Sequence, residues 1–330
     1  MRNLIGEDVE HSFLPHEQLL EFLSSKYNYS ISDLDLVMSG SNDTYKVMAK
    51  DLISYLRIYK KGLRNPDEIV AELEIINYLK ASKIKVAAPI RDINQRFINE
   101  LSFKEGVRSL VLFESAEGGF RQMDEKLSEA LGRQVGKMHL LLDNMKPVNR
   151  FSIRRDHLLI EPLEILDRFL LEAKDEYQFL YKIGDEVLKN VESKKELDFG
   201  LIHGDLHSRN VFFDLENSPC LFDFDCCGYG YRAYEIAVFV FNTVPPNLQD
   251  ETSLFKRKHL LGAFLQGYRS ERFLNSDDEQ LINSFVVLKH IWQIAMVAGM
   301  SKYNDTQKNF GPEYFRRCNS FIKNWIDTQL

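Results

Sequence analysis

Cysteine is scarce. The 330 residues hold four, Cys220, Cys226, Cys227 and Cys318, and none stands in a C-x-x-C pair. That excludes a disulfide-stapled secreted scaffold and a zinc ribbon; neighbouring Cys226 and Cys227 do not readily bridge, and a reducing, cytoplasmic compartment is expected. Positive charge is also in short supply. Lys and Arg total 42 against 49 Asp and Glu, giving a net charge of −7, so no basic field invites nucleic acid or an anionic membrane surface. No apolar run approaches the roughly eighteen residues of a membrane span. The opening "MRNLIGEDVEHSFLPHEQLLEF" has acids and a proline where a signal peptide needs an apolar stretch. Repeats, low-complexity tracts and Pro/Gly linkers are missing too. With 44% hydrophobic content, the chain can bury a large core as one big domain or two lobes.

What is present divides into two parts. "LDLVM" (34–38), "YKVMA" (45–49) and "ISYLRIY" (53–59) are short alternating segments separated by turn-rich "SGSND" and by "KD", and they predict three strands. A helix follows, started by Asn65 as N-cap, Pro66 in the first turn and Glu68 three residues after the cap. Its apolar stripe is Ile69, Leu73, Ile76 and Leu79. "AAPIRDI", "RFINELS" and "RSLVLFE" predict further strands, ending near residue 113. From about 124 helices take over: 127–142, 161–192, 233–243, 254–268, 278–299 and 312–328. Only 199–224 carries a strand signal in that half. The reading is a small β-rich N-terminal lobe (1–113) with one helix, "ESAEGG" as a connection (114–119), and a larger helical lobe (120–330).

The chemistry concentrates in "LIHGDLHSRNVFFDLENSPCLFDFD" (201–225), where His203, Asp205, Asn210, Asp223 and Asp225 are set among Leu201, Ile202, Val211, Phe212, Leu221 and Phe222. "NVFFD" and "CLFDF" flank "LENSP", which predicts a hairpin with its midpoint near Glu216–Asn217. Folding about that midpoint sets Asn210 opposite Asp223, with Cα atoms roughly 4.5–5.5 Å apart. An amide oxygen and a carboxylate so placed can share a hard cation, and Mg²⁺ is held by one or two such oxygens plus phosphate and water. Asp205, five residues before Asn210, can reach a substrate hydroxyl near that metal. One acid in a loop is ordinarily an Asx-turn or helix cap. The spacing His-x-Asp-x-x-x-x-Asn, joined to a second acid at the facing hairpin position, makes coincidence the poorer explanation.

His203-Gly-Asp205-x-x-x-x-Asn210 followed by Asp223-Phe-Asp225 resembles the catalytic and metal loops of the aminoglycoside phosphotransferase and choline kinase-like family, relatives of protein kinases. Within it, "EGGFRQ", "LGRQVGKMH", "LIEPLEIL" and "KNFGPEYFRR" are most similar to the bacterial stress-response Ser/Thr kinase branch. The resemblance implies an α+β, two-lobed protein-kinase-like fold with a small antiparallel sheet lobe, and ATP and Mg²⁺ as cofactors. It implies that Asp205 is base or positioner for the acceptor hydroxyl and that Asn210 and Asp223 bind Mg²⁺. Asp225 is then a second ligand or a brace, and His203 fixes the loop by hydrogen bonds. Such chemistry depends on in-line placement and charge neutralisation, with little covalent work for the protein. For the nucleotide, the resemblance points to Arg57 on the third strand, where Lys is usual; its fork would grip the α/β phosphates. Glu72, between Ile69 and Ile76 on the inward helix face, is its natural partner. Tyr55, two residues before Arg57, is bulky for the roof of an adenine pocket. "SGSNDTY" has a single glycine, with Ser41 and Asn42 nearest the phosphates, and adenine would bond to backbone around Glu114 and Ala116.

Other features read more plainly. Gly132, Gly136 and His139 share a helical face, which suits close helix packing. Cys226 and Cys227 read as small packing residues, and Trp292 and Trp325 as core. His207 sits inside the loop as a candidate substrate contact. Glu161, Glu164, Asp167, Glu172, Asp175, Glu176, Asp185 and Glu186 read as a solvated face; a cationic acceptor drawn to them is the sharper reading. The acceptor is a hydroxyl-bearing small molecule (amino sugar, amino alcohol or similar metabolite) or a protein Ser/Thr, and a nucleotide-binding module without catalysis stands as a further class. Nothing in the spacing sets an oligomeric state.

Overall fold

The computed structural model describes residues 11–28, 30–50, 52–169, 174–243, 251–301 and 310–330. Most of the N-terminal stretch weighed for a signal peptide (1–10), Glu172 of the acidic run, and Lys308 and Asn309 of "KNFGPEYFRR" lie outside them. The chain forms two compact units, Met1–Glu117 and Gly118–Leu330.

In the first unit, α1 (His16–Lys26) precedes a five-stranded antiparallel sheet of order β1-β2-β3-β5-β4. The strands are β1 (Ile31–Ser39), β2 (Asn42–Ala49), β3 (Leu52–Tyr59), β4 (Ile98–Phe103) and β5 (Gly106–Glu114). Leu19 and Leu23 of α1 pack with Leu34, Val47, Leu56, Ile58, Leu110 and Leu112 on one sheet face. Because strand side chains alternate, Tyr55, Arg57 and Tyr59 of β3 face the other way. There Arg57 and Tyr59 meet α2 (Pro66–Ala81), which begins as its sequence predicts. Asn65 Oδ1 accepts from Glu68 N–H at 2.9 Å and Glu68 returns a bond to Asn65 N–H at 3.0 Å, with Pro66 in the first turn. Ile69, Leu73, Ile76 and Leu79 are all buried.

Two expectations fail here. A second helix, α1, is present. "AAPIRDI" is not a strand: it contributes only a bridge from Pro89 to Phe113, since proline has no N–H for a ladder and fixes φ.

The second unit is mostly helical. Its helices are α3 (Glu125–Leu142), α4 (Glu161–Asp167), α5 (Lys174–Ser193), α6 (Arg232–Thr243), α7 (Glu251–Arg269), α8 (Ser276–Met300) and α9 (Pro312–Gln329). Single helical turns occur at Asp156–Ile160 and Phe224–Cys226. The β-structure is slight: β7 (Phe199–Ile202), the hairpin β8 (Val211–Phe213) and β9 (Pro219–Leu221), and two strands absent from the expectation, β6 (Ser152–Ile153) and β10 (Gly228–Tyr231). β10 lies between β6 and β7.

Glycine spacing on α3 has the predicted consequence. A Cβ at Gly132 would fall 2.0 Å from the Phe264 carbonyl oxygen of α7, and one at Gly267 of α7 would fall 2.0 Å from the Glu129 carbonyl oxygen. The two backbones touch. Trp325 is core, its Nε1–H donating to Asn283 O at 3.0 Å. The acids of 161–192 within the described residues are exposed or half-buried, with Asp185 paired to Arg155 at 2.8 Å, as a solvated face requires.

Contrary to the reading of apolar runs, α8 holds an 18-residue window of mean hydropathy 1.5, enough by length and composition to cross a membrane. Of that window 78% is buried inside the protein, which marks a core helix.

Candidate active site

The second unit builds its site on the turn after β7. Gly204 adopts φ +80°, and a Cβ there would lie 2.3 Å from the Cys226 carbonyl oxygen, so glycine alone suits the position. Buried His203 spans the loop. Its Nε2–H donates to Phe222 O at 3.0 Å while Nδ1 accepts from Asp205 N–H at 3.3 Å, which selects the neutral Nε2–H tautomer. Burial pushes its pKa down. From below, Glu235 of α6 accepts the N–H groups of both His203 and Gly204. Burial is the main reason this carboxyl is pushed up to about 7.

Asp205 is gripped from several directions. Asn210 Nδ2 donates to its carbonyl oxygen at 3.0 Å and to Oδ2 at 3.3 Å. His207 Nε2 stands 3.3 Å from Oδ2, its Nδ1 being occupied by Arg209 N–H at 3.1 Å. Lys289 of α8 stands 3.2 Å from Oδ1. Burial would raise the Asp205 pKa, but Lys289 and His207 outweigh it and hold the carboxyl well below the usual range. Asn210 is buried, and commitment of its Nδ2 to Asp205 leaves Oδ1 as the amide's acceptor end.

The hairpin register differs by one residue from the expected one. Val211 pairs with Leu221, Phe212 with Cys220 and Phe213 with Pro219, so the fold is centred on Glu216. Asn210 therefore faces Phe222, whose N–H donates to Asn210 O at 3.1 Å, and Asp223 is the next residue along. Asp223 leaves the ladder in a left-handed conformation, φ 64° and ψ 62°. This is unusual for a residue with a Cβ and typical of functional turns. Asp225 is buried, and its carbonyl oxygen is clasped by Arg150 Nη2 at 2.6 Å.

Among the described residues, no group of three or more His, Cys, Asp and Glu is arranged to hold a metal. A Mg²⁺ site needs less protein, and an amide oxygen from Asn210 with carboxylate oxygen from Asp223 is the hard donor set that suits it.

In the first unit, Arg57 Nη1 pairs with Glu72 Oε1 at 2.7 Å, and Tyr59 OH donates to Glu72 Oε2 at 3.0 Å. The guanidinium also lies 5.0 Å from the centre of the Phe113 ring. Tyr55 is half-buried. The turn between β1 and β2 is tied inward: Asn42 is buried, with Oδ1 accepting from Lys60 N–H at 3.4 Å, and Ser41 is half-buried. Asp43 braces this turn, taking Ser39 Oγ–H at 2.7 Å and pairing with buried Arg108 at 2.6 Å. Glu114 ends β5 with its N–H given to Ala88 O at 2.8 Å and its carboxylate to Lys80; Ala116 is half-buried.

Sequence reasoning missed Asp43, Glu235 and Lys289. The last two had a signal: each is a charge inside an otherwise apolar helical run, "YEIAVFVF" and "FVVLKHIW".

A cation–carboxylate pair between strand and helix, with a braced His-Gly-Asp loop closed by an Asn/Asp hairpin, defines a kinase-type phosphotransferase. The phosphotransferase enzyme family matches residues 38–274, and the chain belongs to it. Amicoumacin kinase of Bacillus subtilis (strain 168) is 25% identical over 87% of this chain and 86% of its own. Stress response kinase A of Escherichia coli (strain K12) is 27% identical over 59% of this chain and 58% of its own. A solved amicoumacin kinase, in complex with AMP-PNP and Ca²⁺, superposes with a TM-score of 0.78 at 20% identity, covering 95% of this chain and 94% of that one. The fold is the protein-kinase-like α+β fold expected from the loop motifs.

Proposed function

We propose that the chain is a Mg²⁺- and ATP-dependent kinase, working in the cytoplasm, that transfers the γ-phosphoryl group to a hydroxyl of a small molecule such as an amino alcohol or amino sugar. The observation that carries this reading is the Asp205 carboxylate, held ionised and fixed in direction beside the Asn210–Asp223 hairpin. Asp205 orients the acceptor hydroxyl and takes its proton. Asn210 and Asp223 hold Mg²⁺, which neutralises charge on the phosphoryl oxygens when bound. Asp225 supports that hairpin or adds a ligand, and His203 and His207 hold Asp205 in place. In the first unit Arg57, anchored by Glu72, grips phosphate; Ser41 and Asn42 belong to the phosphate turn, and the backbone around Glu114 and Ala116 meets adenine.

The small-molecule acceptor is favoured because the similarity to an amicoumacin kinase runs over 87% of the chain, against 59% for the stress response kinase. The latter similarity supports a Ser/Thr protein acceptor as the second reading. A nucleotide-binding module without catalysis fits poorly, since Asp205, Asn210 and Asp223 are all present. The test is an ADP-release screen with Mg²⁺-ATP over amino alcohols, amino sugars and generic protein substrates. Turnover with a small alcohol is the expected result. Turnover only with protein moves the assignment to the second reading, and release with no acceptor at all overturns both.

A further inference from the structure

We propose that Lys289 is a positioning residue for phosphoryl transfer, fixing the rotation of the Asp205 carboxylate from outside the catalytic loop. This rests on the kinase reading above and adds to it a residue that belongs to neither loop motif.

Three observations lead there. First, Lys289 is fully buried in the apolar stretch of α8, a place where lysine is almost never found without a partner. Its ion pair among the described residues is to Asp205 Oδ1 at 3.2 Å. Second, the loop's own donors hold only one side of the carboxylate: Asn210 and His207 both meet Oδ2. The terminal torsion of an aspartate is broad, so bonds at one oxygen leave the plane of the carboxylate loosely set. Lys289 supplies the contact at the other oxygen, and it comes from a packed helix 84 residues away. Third, the ammonium is itself held, with Nζ 4.0 Å from the centre of the Trp292 ring one turn further along α8. α8 packs against α6, whose Glu235 fixes the backbone of the same loop. One helix thus sets the loop's main chain and the other sets the side chain of its acid.

What the ion pair brings to Asp205 is set against the cost of burying the ammonium. The Asp205 side chain is 24% exposed and keeps His207 beside it, whereas the Lys289 side chain is 0% exposed and bears the desolvation cost. Replacing it by an apolar chain of similar length should leave the fold intact. The orientation of Asp205 is what would suffer, and a misplacement of about 1 Å at the reacting centre can cost on the order of 10²-fold in rate.

The experiment measures kcat, KM and Mg²⁺-ATP affinity for wild type, Lys289→Met, Lys289→Arg, Asp205→Asn and the double variant Asp205→Asn/Lys289→Met, each with its melting temperature. Lys289→Met should melt close to the wild-type temperature, bind Mg²⁺-ATP as wild type does, and lose about 10²-fold in kcat. Lys289→Arg should recover part of that loss. The double variant should be no slower than Asp205→Asn, because Lys289 acts through Asp205. A Lys289→Met enzyme with wild-type kcat overturns the inference, as does a loss that simply adds to that of Asp205→Asn. Should Lys289→Met not fold, Lys289→Gln carries the same comparisons. A wild-type chain that transfers phosphate to no acceptor overturns the kinase reading and this inference with it, whereas an active wild type and an equally active variant overturn the inference alone.

Discussion

Arg57 with Glu72 in the first unit, and Lys289 with Asp205 in the second, are both cation–carboxylate pairs between a core helix and a functional element, yet they are mirror images in exposure. In the first unit the acid is sealed at 0% and the arginine side chain keeps 10% of its surface. In the second the cation is sealed at 0% and the aspartate keeps 24%. Under the proposed function the sealed member anchors and the wetter member works: the guanidinium serves anionic phosphates and the carboxylate serves the hydroxyl. One structural device can thus present either sign of charge, depending on which partner is driven into the core.

The working members should be the costliest to lose. Asp205→Asn is expected to lower kcat about 10³-fold with Mg²⁺-ATP affinity nearly unchanged, read by steady-state ADP release and nucleotide titration. Undiminished turnover would remove Asp205 from the working side of the comparison. Asp223→Ala should weaken Mg²⁺-ATP about 10²-fold, as expected from losing a metal ligand's charge stabilisation. If titrations with and without Mg²⁺ give the same affinity as in wild type, Asp223 is not a ligand.

The pairs should also differ in stability. Arg57→Met strips the guanidinium from buried Glu72 and should cost roughly 3 kcal/mol in denaturant unfolding, as breaking a buried pair does. Lys289→Met, leaving a hydratable aspartate, should cost far less. Equal losses would erase the asymmetry.

The smallest effect is expected at Glu235, which holds the backbone amides of His203 and Gly204. Its carboxyl is raised from 4.5 to about 7, so the folded chain binds that proton more tightly than the unfolded one. Its contribution to stability is complete below about 4.5 and is lost as pH rises through about 7. Glu235→Gln does not titrate, and its melting temperature should fall less than that of wild type across this window. Because Gln keeps one acceptor oxygen for the loop amides, kcat should drop by only a few-fold, about 1 kcal/mol of barrier. Parallel melting curves against pH would show that the proton on Glu235 is not linked to folding.

How much of this the sequence disclosed follows from the range of each interaction. The capping box of α2, the strands β1 to β3 and the hairpin of residues 211–221 are written in neighbours along the chain, and they appear where the pattern puts them. Arg57 and Glu72 could be paired in advance because strand alternation and helix periodicity each fix a face. Asp223 was placed one residue off, since nothing in "DLENSP" distinguishes a turn centred on Glu216 from one centred a half-step later, and a half-step moves every partner. β6 and β10 are too short, and β10 too rich in glycine and tyrosine, to show alternation. Lys289 and Glu235 were out of reach because their partners are 84 and 31 residues away or more in a fold not yet built. Their only trace was a charge where a greasy helix should have none.

The bare contact between α3 and α7 has a consequence for how the protein tolerates change. Gly132 and Gly136 let α7 lie against α3, and there His139 meets Tyr268 OH at 3.0 Å and stands 3.7 Å from Glu235, the acid beneath the catalytic loop. One added methyl group at Gly132 forces two helices apart and reaches the loop through a histidine and a buried acid. A scan of every position for lost activity should therefore trace a line of intolerance from that seam to Asp205 by way of His139 and Glu235.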